Sequence, residues 1–113
     1  CHTLNPRLGV AQLADMGRKA GDRLLAASPD QGAVVEELVR LCPGIAQVLI
    51  LDEPGADFPL PDCGAVPVRT QQELLAEHGK ALEWGGFSER EEAGLCFTSG
   101  TTGAPKGVPY SHR

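Results

Sequence analysis

The sequence LCFTSGTTGAPKGV, residues 95–108, is the most informative stretch of this chain. An apolar run ends at Phe97 and is followed by hydroxyl side chains, three glycines and a single lysine, Lys106. Glycine lets the backbone approach a ligand closely, hydroxyls donate hydrogen bonds, and lysine supplies a mobile positive charge. These residues in this order predict a polyphosphate-binding loop, although a sparser glycine turn would more often only reverse the chain.

The generic phosphate-binding P-loop, G-x-x-x-x-G-K-[ST], does not describe this stretch. Counted from Gly100, the second glycine of that pattern falls on Pro105. Lys106 is followed by Gly107, where the pattern requires serine or threonine. A P-loop of the kinase or GTPase type is therefore disfavoured.

Residues 98–108 resemble the phosphate-binding signature T-S-G-T-T-G-x-P-K-G-V of the acyl-adenylate-forming enzymes, which include acyl-CoA synthetases, luciferases and peptide-synthetase adenylation domains. A match of eleven positions with fixed glycine, proline and lysine is far more specific than a short motif. In that family the signature follows a strand and leads through a second short strand to a helix. A second segment, HTLNPRL at 2–8, resembles fatty-acyl-CoA synthetases and narrows the resemblance to that branch.

The resemblance implies an ATP-dependent acyl-CoA synthetase that activates a fatty acid as its acyl-adenylate and transfers the acyl group to coenzyme A. It implies that the loop holds the β- and γ-phosphates of ATP and that Lys106 stabilises charge in the transition state. Thr98 is the candidate hydroxyl near Mg²⁺. The implied ATP-binding residues are Thr98, Ser99, Gly100, Thr101, Thr102, Gly103, Lys106 and Gly107.

The ends of the chain suggest a piece of a longer protein. It opens on Cys1 instead of Met and stops at Arg113, just after Ser111, which is a candidate N-cap of a further helix. We expect residues 1–113 to be a fragment of a large N-terminal AMP-binding domain, with the phosphate loop at 98–108 and no complete domain boundary. In the resembled family the acidic metal ligand, the adenine and ribose contacts and a catalytic lysine follow the matched segment, so the fragment is expected to be inactive alone.

Three alternatives stay open. The first is that the full protein is another adenylate-forming ligase, which acts on a different carboxylic acid. The second is a nucleotide-binding module without ligase chemistry, and the third is a purely structural domain. The sequence beyond Arg113 would separate the first two, because only a ligase needs the downstream carboxylate and lysine.

Composition and charge narrow the functional classes. The 113 residues are 42% hydrophobic and 22% charged, which is an ordinary globular composition. Ten basic against fifteen acidic residues give a net charge of −5, which does not favour nucleic acid or an anionic membrane as a partner. The four cysteines form no C-x-x-C pair, so reduced thiols and a cytoplasmic location are expected. No apolar run approaches the roughly 20 residues of a transmembrane helix.

Three helices are predicted from apolar spacing and capping residues. Asn5-Pro6 is a candidate cap before a helix over about 9–20, and a second apolar stripe runs from about 31 to 42. The sequence TQQE at 70–73 is a capping box, which opens a third helix to about His78.

Continuous apolar runs predict strands at 23–27, 47–51 and 93–97, the second of them covered on both faces. The order strand, helix, strand implies a right-handed crossover, and hence an α/β fold whose mainly parallel sheet is flanked by helices. Proline and glycine interrupt residues 52–68, which are predicted to form a surface loop. The last strand is expected to enter the sheet, to bury Cys96, and to deliver the chain into the phosphate loop at a carboxyl end of the sheet.

Single residues carry further predictions. Pro109 stands where the resembled family carries an aliphatic residue, and because proline cannot donate to a sheet ladder, the strand after Gly107 is expected at an edge or broken. His2 and Arg7 are expected to cap a helix or to form surface ion pairs, and not to act in catalysis. Trp84 is expected to fill the core.

Overall fold

A computed structural model describes residues 1–55, 57–81, 83, 85–99 and 105–113 of the chain. The predicted helices and the first two predicted strands are all present, with bounds close to those expected. In chain order the elements are α1 (Val10–Ala20), β1 (Leu24–Ala27), a short 3-10 helix (Pro29–Gln31), α2 (Gly32–Leu41), β2 (Gln47–Ile50), β3 (Val68–Thr70), α3 (Gln71–His78), β4 (Glu92–Ser99) and β5 (Pro105–Ser111).

The first three strands form a parallel sheet in the order β1, β2, β3, with Leu25 beside Val48 and Val48 beside Val68. Val48 and Ile50 are fully buried in a core to which α1 and α2 contribute. Side chains alternate between the faces of a sheet, so Leu49 points to the other face, where it is only half-buried. The predicted coverage of this strand on both faces is therefore wrong for the described residues, because both helices pack on one face.

The predicted loop over 52–68 ends in a strand that the prediction missed. Val68 pairs with Val48 and starts β3, which is too short to show an alternating pattern. The segment before it is also not wholly on the surface, since Cys63 and Val66 pack against the core. Burial raises the pKa of the Cys63 thiol.

The capping box at the start of α3 is confirmed. The Thr70 hydroxyl accepts a hydrogen bond from the Glu73 amide at 3.2 Å, and the Glu73 carboxylate accepts one from the Thr70 amide at 2.9 Å. Arg69 donates to Glu73 at 3.2 Å and to Glu77 at 2.6 Å. The Thr70 amide, followed by Arg69, holds the pKa of Glu73 below its ordinary value.

The expected cap at Asn5-Pro6 is wrong, because these residues form a separate turn. The Asn5 side chain accepts a hydrogen bond from the Arg7 amide at 3.0 Å, and the Asn5 carbonyl accepts one from the Leu8 amide at 3.0 Å. The helix begins afterwards, with Gly9 as its N-cap.

β4 and β5 form an antiparallel hairpin that is separate from the parallel sheet. The expectation that residues 93–97 enter the parallel sheet is therefore wrong, because their partner is the next strand along the chain. Within the described part of the chain β5 pairs with β4 alone, with Pro109 opposite Leu95, so the predicted edge position of this strand is confirmed. The fold is α/β with a mainly parallel set of strands, as predicted. Among the described residues, no helix combines the length and the apolar character that crossing a membrane requires.

Candidate functional site

Thr98 and Lys106 face each other across the hairpin, at the end from which the glycine-rich and hydroxyl-rich segment departs. The two residues are paired in the β4–β5 register, and both are exposed. Residues directly opposite in an antiparallel pair have Cβ atoms about 5 Å apart and project from the same face. The described structure thus brings together two of the predicted site residues, a hydroxyl and an ammonium group, at the base of the loop.

The exposed face of the hairpin continues from this pair to Cys96, which is paired with Val108, and to Tyr110. The prediction that Cys96 is buried is wrong, because alternation along β4 places Cys96 on the same exposed face as Thr98. The neighbouring Cys96 side chain, chiefly through its charge, raises the pKa of Tyr110.

On the opposite face of the hairpin, one predicted site residue, Gly107, lies close to a leucine side chain. Gly107 is paired with Phe97 and lies diagonally beside Leu95. A Cβ atom at Gly107 would lie 3.0 Å from Leu95 Cδ1, so a side chain here would press on its neighbour. Gly107 therefore lies where a side chain would contact Leu95, and its contact with phosphate stays a prediction.

The remaining loop residues lie outside what the structure describes. Ser99 ends β4 and pairs with Pro105, so the two ends of the loop are adjacent. The Ser99 hydroxyl and the residues between these ends are outside the described part, as is Trp84, and their predicted roles stay predictions. The predicted phosphate contacts concerned are those of Ser99, Gly100, Thr101, Thr102 and Gly103.

The described residues around Thr98 offer a poor set of ligands for Mg²⁺. Magnesium prefers six oxygen ligands, commonly carboxylates, phosphates and waters. Thr98 supplies one hydroxyl, and the residue opposite it is a lysine. Across the described ranges, no three His, Cys, Asp or Glu side chains come together to hold a metal. The described part of the hairpin does not form a magnesium site by itself, and the predicted role of Thr98 there stays a prediction.

His2 takes part in a part-buried contact that the sequence did not indicate. Its Nε2 atom lies 2.8 Å from Oδ1 and 2.7 Å from Oδ2 of Asp22, and its side chain is 7% exposed. The ring also meets Phe97 edge-on, with the ring centroids 5.3 Å apart. The sequence predicted an ion pair for His2, but on the surface of the protein. Its partner is 20 residues away along the chain, and the HTLNPRL resemblance was the one sequence signal that drew attention to this residue.

Comparison with known proteins identifies the family. All of residues 1–113 match the family model described as AMP-binding enzyme. The chain is 37% identical over 123 aligned positions to the 3-methylmercaptopropionyl-CoA ligase of Ruegeria lacuscaerulensis, covering 100% of the chain and 20% of the relative. It is 31% identical to the long-chain-fatty-acid–CoA ligase of Thermus thermophilus, over 99% of the chain and 18% of the relative.

A third relative is matched over a similarly small share of its length. The medium-chain-fatty-acid–CoA ligase of Ectopseudomonas oleovorans is 29% identical, over 100% of the chain and 20% of the relative. The chain thus spans about a fifth of the length of the curated relatives it matches.

Solved structures share the fold. The adenylation domain of a carboxylate reductase from Mycobacterium chelonae superposes with a TM-score of 0.78 at 16% identity, covering 98% of this chain and 19% of that one. An anthranilate CoA ligase in complex with anthranoyl-AMP gives a TM-score of 0.75 at 19% identity, covering 98% and 20%. With the family model matching throughout, the chain belongs to the AMP-binding enzymes.

Proposed function

We propose that the chain is the phosphate-binding part of an ATP-dependent acyl-CoA ligase, within the large N-terminal domain of that enzyme. The observation that carries the proposal is the cross-strand pair of Thr98 and Lys106, both exposed at the base of a loop whose sequence is the family signature. Strand pairing of Ser99 with Pro105 brings the two ends of this loop together, and the hydroxyl of Thr98 and the ammonium group of Lys106 are the kinds of group that stabilise a charged leaving group.

In the proposed reaction a carboxylate oxygen of the acid attacks the α-phosphorus of ATP, and the bond to the β-phosphate oxygen breaks to release pyrophosphate. The thiol of coenzyme A then attacks the acyl carbon, the acyl–phosphate bond breaks, and AMP leaves. Loop amides and hydroxyls would hold the β- and γ-phosphates, and Lys106 would offset the negative charge that develops on the leaving pyrophosphate. The residues assigned to this binding are Thr98, Ser99, Gly100, Thr101, Thr102, Gly103, Lys106 and Gly107.

Magnesium accompanies ATP in this proposal, and Thr98 is the chain's candidate contact with it. A single hydroxyl does not complete a coordination shell, so any metal here would share its ligands with the phosphates. Groups that contact adenine, the acid and coenzyme A lie outside this chain in the proposal, and we expect residues 1–113 alone to be inactive. We also propose a cytoplasmic location, where ATP and coenzyme A are available and the four free cysteines stay reduced.

The substrate we propose is a fatty acid, which is supported by the names of two relatives and by the HTLNPRL segment. A second candidate is a short carboxylic acid that carries a thioether. It is favoured by the 37% identity to a 3-methylmercaptopropionyl-CoA ligase, against 29% and 31% for the fatty-acid ligases.

The test is ATP–pyrophosphate exchange by the full-length protein with a panel of acids, namely octanoate, palmitate and 3-methylmercaptopropionate. Lys106→Ala should lower exchange by a factor of about 100, the effect typical of losing one transition-state contact. Lys80→Ala is the matched control, because Lys80 is an exposed lysine outside the hairpin. Near-normal exchange by Lys106→Ala would remove Lys106 from the mechanism, and no exchange with any of the three acids would refute both proposed substrates.

A further inference from the structure

We infer that His2 and Asp22 are positioning residues, which fix the loop-bearing hairpin against the parallel-sheet layer and so set where ATP phosphates bind. This inference rests on the proposed function, because it concerns the same loop. It adds two residues that lie far from the signature in sequence.

The N-terminal residues run beside β4 and connect it to the rest of the molecule. The carbonyl oxygen of Cys1 accepts a hydrogen bond from the Leu95 amide at 2.8 Å. The next residue, His2, places its ring against Phe97 with an interplanar angle of 61°. Phe97 directly precedes Thr98 and lies opposite Gly107, the neighbour of Lys106. A shift of Phe97 would therefore move both members of the exposed pair at the base of the loop.

Asp22 provides a fixed point for the His2 ring. It follows Gly21, which ends α1 in the left-handed conformation at φ 69°, and its amide donates to the Gly17 carbonyl at 3.0 Å. Its carboxylate lies over Gly17, where an added Cβ would come within 3.2 Å of Oδ2. The side chain is only 19% exposed. Asp22 is thus held by the end of a helix, and rigid elements position functional groups more precisely than mobile loops do.

The presence of histidine at position 2, where phenylalanine would pack equally well, indicates that this side chain orients β4. The Nδ1 atom of His2 is buried and has no hydrogen-bond partner in the part of the chain that the structure describes. A buried polar atom without a partner is unfavourable, and a phenylalanine of similar size would fill the space without it. The favourable feature of histidine here is the contact of Nε2 with both oxygens of Asp22. That contact fixes the ring, and the ring contacts the strand that leads into the loop.

Two substitutions in the full-length protein separate orientation from packing. His2→Phe keeps the ring and its contact with Phe97 but removes the bond to Asp22, whereas Asp22→Asn keeps one oxygen acceptor for Nε2–H. We expect His2→Phe to lower kcat/KM for ATP in pyrophosphate exchange about tenfold, since a misplacement of about 1 Å can cost a factor of about 100 in rate and the retained ring limits the shift. Asp22→Asn should lower it less than about threefold, and the double variant should match His2→Phe because the same bond is lost.

The matched control is His78→Phe, because His78 is an exposed histidine at the end of α3 with its side chain 74% exposed. This variant should keep the wild-type kcat/KM. Amide hydrogen exchange without substrate gives a second readout: in His2→Phe the Leu95 amide should exchange about tenfold faster, while the Val48 amide in β2 keeps its wild-type rate.

The outcomes separate this inference from the proposed function. If the wild type shows no exchange of pyrophosphate with any acid, the proposed function fails, and the Leu95 amide still decides whether His2 holds the hairpin. Wild-type kcat/KM and a wild-type Leu95 exchange rate in His2→Phe would overturn the inference. It would also be overturned if Leu95 and Val48 amides accelerated equally, because His2 would then contribute only to general stability.

Discussion

Replacing Gly107 by alanine tests whether this position is small because of packing or because of phosphate binding. The added Cβ would lie 3.0 Å from Leu95 Cδ1 and 3.4 Å from its Cδ2 and Cγ atoms, inside the optimal carbon separation of about 3.5–4.0 Å. Leu95 is half-buried, and we expect its side chain to relieve this contact by rotating away from its preferred rotamer. Such a departure costs about 0.5–1.5 kcal/mol.

A second effect has the opposite sign. Gly107 does not have a positive φ, so alanine can adopt its backbone conformation without strain. Replacing glycine within a strand by alanine stabilises a protein by about 0.5–1 kcal/mol. With Leu95 present the two effects nearly cancel, and Gly107→Ala should change the free energy of unfolding by less than about 0.5 kcal/mol. In the Leu95→Ala background the clash is gone, and the same substitution should stabilise by about 0.5–1 kcal/mol.

Urea unfolding of the wild type, the two single variants and the double variant, followed by circular dichroism, measures this coupling. The expected interaction energy between the two positions is about 1 kcal/mol. An equal effect of Gly107→Ala in both backgrounds would refute the packing explanation. The KM for ATP of the same four proteins separates the roles: a KM that stays raised in the double variant indicates that phosphate needs glycine, and a restored KM indicates that Leu95 does.

Two further predictions concern stability. The Thr70 amide and Arg69 lower the folded-state pKa of Glu73, so its contribution is complete above the unfolded-state value of about 4.3 and is lost as the pH falls through the lowered value. The difference in unfolding free energy between wild type and Glu73→Gln should therefore shrink between about pH 5 and pH 3 in urea titrations; a constant difference would contradict this. Val48→Ala removes a side chain with no exposed surface and should cost about 2–3 kcal/mol, while Leu24→Ala, at a 55% exposed position, should cost less than about 1 kcal/mol; equal costs would contradict the assigned core.

The elements that the sequence predicted correctly are those with local causes. The apolar spacing of α1 and α2 repeats within a few residues, and the capping box at 70–73 joins atoms three positions apart. The elements predicted wrongly depend on distant partners. An apolar run such as 93–97 is compatible with either sheet, because nothing within the run specifies which strand lies beside it. The sequence signal for β3 is still weaker, since three residues in a proline-rich region cannot show an apolar period.

The candidate site also combines features that a local sequence pattern can indicate with features that depend on distant residues. The signature at 98–108 predicts a phosphate-binding role for the loop and for Lys106 from residue types at fixed spacing, and that role stays a prediction. The pairing of Thr98 with Lys106 follows from strand register, which requires the hairpin to be known. The contact between His2 and Asp22 spans 20 residues and depends on how α1 ends beside the N-terminal segment. No local pattern could predict it.

The hairpin also bears on the proposed role of Lys106 at the base of this loop. In a P-loop the chain enters a helix directly after the glycines, and the helix N-terminus supplies free amides and a partial positive charge to the phosphates. Here the chain after the loop enters β5, and sheets have only small net dipoles. Lys106 is the one cationic side chain among the described residues of β4 and β5. In the proposed function, the positive charge that a helix would have provided comes from Lys106, which lies opposite Thr98 in the hairpin.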